Sequence, residues 1–127
     1  MLARLEQIMT ASVCAVAPET PVADVAKTMV RGRFGSVLVT TSDMLVGILT
    51  ERDVLRAAAS GKALTESPVS AWMTKDPETV GPDVECDDAL QIMLTQGFRH
   101  LPVVDGNTIL GIVSLRDVLA TRIGRAT

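Results

Sequence analysis

Apolar residues recur along the chain at two periods. Val22, Val25, Ala26 and Met29 fall at i, i+3, i+4 and i+7, the spacing of one helix face, and Cys86, Ala89, Leu90 and Met93 repeat it. Thr20-Pro21 precedes the first stretch as a cap with proline at the first helical position. Gly32 and Gly97 stop the two helices, one residue out of register with each other. Runs rich in β-branched residues predict strands at 13–16, at 36–40 and 45–49 around Thr41-Ser42-Asp43, and at 100–104 and 109–113 around Asp105-Gly106-Asn107. Closing helices are predicted at about 51–59 and 115–123.

The pattern is duplicated. Sliding the chain on itself by 64 residues aligns 9–55 with 73–119 without a gap, and 14 positions coincide, including Met9/Met73, Phe34/Phe98, Gly47/Gly111 and Asp53/Asp117. This predicts an α/β fold of two pseudo-symmetric β-α-β-β-α repeats. Repeat 1 is expected at 1–60 with a short N-terminal helix, a connector at 61–71, and repeat 2 at 72–127. A half of about 50 residues has too little core to stand alone, so the two are expected to pack as a pair with a cleft where they meet.

The most similar stretch is GILTERD at 47–53 and GIVSLRD at 111–117. Thr50-x-x-Asp53 and Ser114-x-x-Asp117 have the spacing of a capping box at a strand-to-helix junction, with Asp in place of the usual Glu or Gln. The same geometry suits a ligand. A helix start offers N–H groups to phosphate, its aspartate can accept from a cis-diol, and Gly47 or Gly111 would let a flat base approach the backbone.

The heptamer pattern Gly-apolar-apolar-(Thr/Ser)-x-x-Asp, twice in register, resembles that of cystathionine β-synthase (CBS) domains. So do Met9-Thr10 and Met73-Thr74 at the start of each unit, and Phe98-Arg99-His100-Leu101-Pro102-Val103-Val104-Asp105 before the last hairpin. The resemblance covers residues 8 to 123 or so. It implies a tandem CBS pair, or Bateman module, that is regulatory rather than catalytic. Such a pair binds AMP, ADP, ATP or S-adenosylmethionine between its repeats and dimerises into a flat disc.

Carried over, the resemblance implies one site at Thr50 and Asp53, with Ile48 under the base and Phe98, Arg99, His100 and Pro102 from the second repeat. The other would use Ile112, Ser114 and Asp117, facing Phe34, Gly35 and Ser36. Arg99 and His100 would supply a cation and a switchable donor, so phosphate is expected at the Thr50/Asp53 site. Arg52 and Arg116 are further candidates for phosphate contact. No cofactor is required, no metal site is expected, and Mg²⁺ would enter only with a polyphosphate.

Composition narrows the reading. A net charge of −3 and pI near 5.0 argue against nucleic-acid and acidic-membrane partners. Aromatics are 2% of residues, so the core must be aliphatic. Arg4, Glu6 and Gln7 spoil a secretory signal, and no apolar run approaches the ~18 residues of a membrane helix, so a cytoplasmic protein is expected. Cys14 and Cys86 sit in apolar patterns as free thiols, and the Met stripe is core. With a single histidine and no nucleotide-loop, zincin or nucleophile-elbow motif, no enzymatic activity is expected. Two functions stay open: a homodimeric adenine-nucleotide sensor acting on an effector protein, or a ligand-independent dimeric scaffold whose heptamers only cap helices.

Overall fold

In the computed structural model, residues 3–126 are described, with side chains to 123. Strands β1 (Ala15–Val16), β2 (Ser36–Thr41) and β3 (Met44–Thr50) and helices α1 (Val22–Gly32) and α2 (Glu51–Ala59) come from the first repeat. Strand β4 (Thr74–Lys75), helix α3 (Cys86–Gln96), strands β5 (His100–Asp105) and β6 (Thr108–Ser114), and helix α4 (Leu115–Ala126) come from the second. The hairpin strands are longer than predicted, because tight two-residue turns let pairing continue to the ends. In the first, Ser42 and Asp43 both take positive φ, the geometry that matches strand twist.

The chain forms two compact units, and their boundaries are not those of the sequence repeats. One is Cys14–Pro77; the other combines Met1–Val13 with Glu78–Thr127. The opening segment of each repeat is therefore exchanged. Thr74 of β4 pairs antiparallel with Ile48 of β3, and Thr10, its repeat equivalent, bridges to Ile112 of β6. The docking bonds match as well. Val69 N–H donates to the Thr20 carbonyl at 2.9 Å and Leu5 N–H to the Val84 carbonyl at 2.9 Å. Short 3-10 turns at Leu5–Gln7 and Val69–Ala71 deliver Leu5 and Val69, both fully buried, into the two cores.

Within the Cys14–Pro77 unit the sheet order is β1-β2-β3-β4, with β1 parallel to β2 and the rest antiparallel. Its core holds Val22, Val25, Met29, Val37, Val39, Leu49, Ala57 and Val69. The other unit has the β5–β6 hairpin, flanked by single bridges to Val80 and Thr10. Its core uses equivalents such as Cys86, Ala89, Met93, Leu101, Val103, Val113 and Leu5. Cys86 is thus a small core hydrophobe, and burial pushes the Cys14 thiol pKa up, which leaves little thiolate at neutral pH.

Two local expectations shift. Pro21 is the N-cap of α1 rather than its first residue, and no side chain caps it. The exchanged segment does this work: Val22 N–H donates to the Ser67 carbonyl, as Cys86 N–H donates to that of Ala3, both at 2.8 Å. At the other end the register discrepancy disappears. Arg33 (φ 57°) and Gly97 (φ 77°) occupy the same left-handed cap position, with Gly32 still helical. Gly32 instead makes room for the Phe34 ring, into which a Cβ would project. Among the described residues, no helix is long and apolar enough to cross a membrane.

Candidate functional site

Each repeated heptamer runs from the last residues of a hairpin strand into the first turn of a helix. At the first junction Thr50 is extended (φ −112°, ψ 169°) and stands opposite Ser36 in the β2–β3 ladder. Glu51 N–H donates to the Gly35 carbonyl at 3.2 Å. Asp53 folds back, and its Oδ2 accepts from Thr50 N–H (2.9 Å) and from the Thr50 hydroxyl (3.1 Å). Its Oδ1 accepts from Arg56 Nη1 at 3.1 Å. Asp53 is only 7% exposed, and these bonds offset the desolvation of its charge. The Arg56 guanidinium also lies over Trp72, 5.7 Å from the ring centroid.

The second junction repeats the capping half of this arrangement. Ser114 N–H donates to Asp117 Oδ2 at 3.0 Å, and Asp117 N–H donates to Ser114 Oγ at 3.1 Å. Leu115 N–H donates to the Arg99 carbonyl at 2.8 Å. The residues equivalent to Arg56 and Trp72 are Ala120 and Ile8, so the cation and its aromatic platform are missing. Asp117 is half-buried, and among the described residues its Oδ1 accepts no hydrogen bond.

The bonds also limit what these helix starts can offer an anion. With Leu115 and Asp117 amides committed inside the protein, the Arg116 amide is the first-turn donor left for a phosphate oxygen. The side chains of Arg52, Arg116 and Arg99 are exposed, so each can reach solvent-borne phosphate.

The other candidate residues are ordered by their own units. Ile48 is buried opposite Leu38, and Ile112 is half-buried opposite Pro102, itself buried. His100 is half-buried opposite Ser114. Phe98 packs against the core of its unit, and Phe34 against that of the other. The structure thus brings Gly35 and Ser36 to the Thr50/Asp53 junction, and Arg99 and His100 to the Ser114/Asp117 junction. The groupings implied by the resemblance draw on both units.

The repeated glycines have a packing task. A Cβ on Gly47 would strike the Met73 side chain. One on Gly111 would lie 2.7 Å from the Thr10 carbonyl and 2.9 Å from Met9 Sδ. They admit the exchanged Met-Thr segments against β3 and β6. Arg56 and Trp72 escaped the sequence reading as a site feature. The i, i+3 spacing of Asp53 and Arg56 was a usable signal, but nothing local pointed to Trp72.

Comparison with known proteins agrees with this duplicated architecture. The family model described as CBS domain matches twice, over residues 5–60 and 69–124. The chain belongs to the CBS domain family. As a tandem CBS pair it is similar to a 17.7 kDa protein of Acidianus ambivalens, 44% identical over 120 residues that span 93% of this chain and 72% of that one. Among solved structures, a CBS-domain containing protein from Agrobacterium tumefaciens is 31% identical, with a TM-score of 0.88 over 94% of this chain and 99% of the other. The CBS domain pair of protein MJ0100, solved with 5′-methylthioadenosine and S-adenosyl-L-methionine, shares the fold at a TM-score of 0.90 and 20% identity, covering 98% of this chain and 99% of its own.

Proposed function

We propose that this CBS pair is a cytoplasmic regulatory module that binds an adenosyl ligand (AMP, ADP, ATP or S-adenosylmethionine) and passes its state, as a homodimer, to an effector protein. One observation carries the reading. A carboxylate and a hydroxyl are presented together at two equivalent strand-to-helix junctions, and at one of them an Asp117 oxygen has no hydrogen-bond partner among the described residues. A cis-diol can donate to that oxygen without dismantling the cap. Ile48 and Ile112 are the proposed apolar contacts of the base, and Arg52, Arg99 and Arg116 the proposed contacts of phosphate. Support comes from the MJ0100 pair, which holds adenosyl ligands on the same fold. The proposed role is regulatory and not enzymatic.

Self-association is proposed through the helices. In one unit Val30 and Leu55 are exposed, and in the other their equivalents Leu94 and Leu119 are exposed too, with Ile123. Apolar groups at the same repeat positions suit a symmetric contact.

A second reading is favoured by the caps themselves. Both carboxylates complete capping boxes, so the heptamers would persist in a scaffold that binds nothing. Calorimetry with AMP, ATP, adenosine and S-adenosylmethionine separates the two. Sensing requires saturable binding and thermal stabilisation, about 2.7 kcal/mol at a hundredfold excess over Kd. No binding at millimolar ligand would leave only the scaffold.

A further inference from the structure

The two motif carboxylates differ in one respect that family membership does not explain. Asp53 has its outer oxygen held by Arg56 at 3.1 Å, and Arg56 is in turn seated on Trp72. Asp117 has neither partner, because Ala120 and Ile8 stand at those positions. We infer that Arg56 is a specificity-determining latch that makes the Asp53 motif select phosphorylated ligands over the bare nucleoside. The inference rests on the nucleotide-binding reading above.

Of the roughly four lone-pair sites on the Asp53 carboxylate, Thr50 fills two and Arg56 one, so a diol can donate from both hydroxyls only if Arg56 leaves. Adenosine offers the displaced guanidinium nothing in return. A nucleotide offers a phosphate, which a guanidinium binds at least as well as a carboxylate, through paired N–H donors. The ion pair is partly exposed, with Arg56 side-chain exposure of 58%, so the closed state is only moderately favoured. An exposed ion pair and one cation–π contact together hold it closed by a factor of roughly 3 to 10. Adenosine affinity falls by that factor, since the competent state is populated by the remaining fraction. The Asp117 motif has no such latch and accepts nucleoside and nucleotide alike. Phosphate selectivity at Asp53 then comes from a residue of its own helix.

The test uses the full chain carrying Asp117→Ala, so that only the Asp53 motif is read. Adenosine and AMP are titrated by calorimetry, with Arg56 intact and with Arg56→Ala. The expected result is that Arg56→Ala tightens adenosine roughly 3- to 10-fold and weakens AMP, so the preference for AMP collapses. Trp72 emission gives a ligand-free readout, as it is the single tryptophan. Asp53→Asn and Arg56→Ala should shift it alike, and the double variant should add nothing. An unchanged AMP-to-adenosine ratio, or an emission that ignores Asp53→Asn, overturns the latch while leaving nucleotide binding intact. If neither ligand binds with Asp117 present or absent, the nucleotide reading itself fails and the latch falls with it.

Discussion

Replacing Gly111 by alanine should destabilise the protein by about 2–4 kcal/mol, whereas the same change at Gly47 should cost only about 0.5–2 kcal/mol. The two glycines occupy identical places in the heptamers, so sequence alone would assign equal effects. The neighbours differ. At Gly111 the new methyl would meet the Thr10 carbonyl at 2.7 Å, and that carbonyl accepts from Ile112 N–H at 3.0 Å. Moving it away strains the two bonds that join Thr10 to Ile112, each worth about 0.5–1.5 kcal/mol net. Overpacking adds about 1–3 kcal/mol, and the reduced entropy of the unfolded chain returns about 0.4–1. At Gly47 the three atoms nearest the methyl all belong to the flexible Met73 side chain, which can turn aside. Urea unfolding followed by far-ultraviolet circular dichroism, at fixed protein concentration, measures both. Met73→Ala should rescue Gly47→Ala, while Met9→Ala should leave most of the Gly111→Ala loss, because the backbone contact remains. Equal costs at the two glycines, or full rescue by Met9→Ala, would refute the packing account. A selective loss of ligand affinity with normal stability would return the glycines to the base-approach role.

Further outcomes are expected elsewhere. Arg33→Gly should stabilise the fold by about 1 kcal/mol in the same assay, since Arg33 holds a left-handed φ that costs a side-chain-bearing residue about 1–2 kcal/mol. Asp117→Ala should weaken adenosine and AMP binding by about 1.5–3 kcal/mol by calorimetry, the scale of charged hydrogen bonds, and lose about 0.5–2 kcal/mol of stability with its cap. Unchanged affinity would remove Asp117 from the binding site. Leu55→Glu with Leu119→Glu should shift sedimentation from dimer to monomer without loss of helicity, because both side chains face solvent within their own units.

Much of the fold was legible in the chain. The 64-residue repeat set the duplicated α/β architecture, and the apolar periods placed the four helices and the hairpin strands to within a few residues. Periodicity works there because a helix or strand face is a local property. The capping boxes were legible for the same reason: Thr50 and Asp53, or Ser114 and Asp117, are three residues apart. Much of what the sequence left open depended on contacts distant in the chain. No periodicity shows that Met9-Thr10 leaves its own repeat to join β6, since the strands it could join have nearly identical motifs. That exchange decided the role of Gly47 and Gly111, and the left-handed position after α1 decided that Gly32 serves Phe34 while Arg33 bears the strain. It was also tertiary structure that brought Trp72 under Arg56 and so made two matching aspartates unequal. A sequence repeat records equal local geometry, but burial, partners and strain depend on what the folded chain places beside each copy.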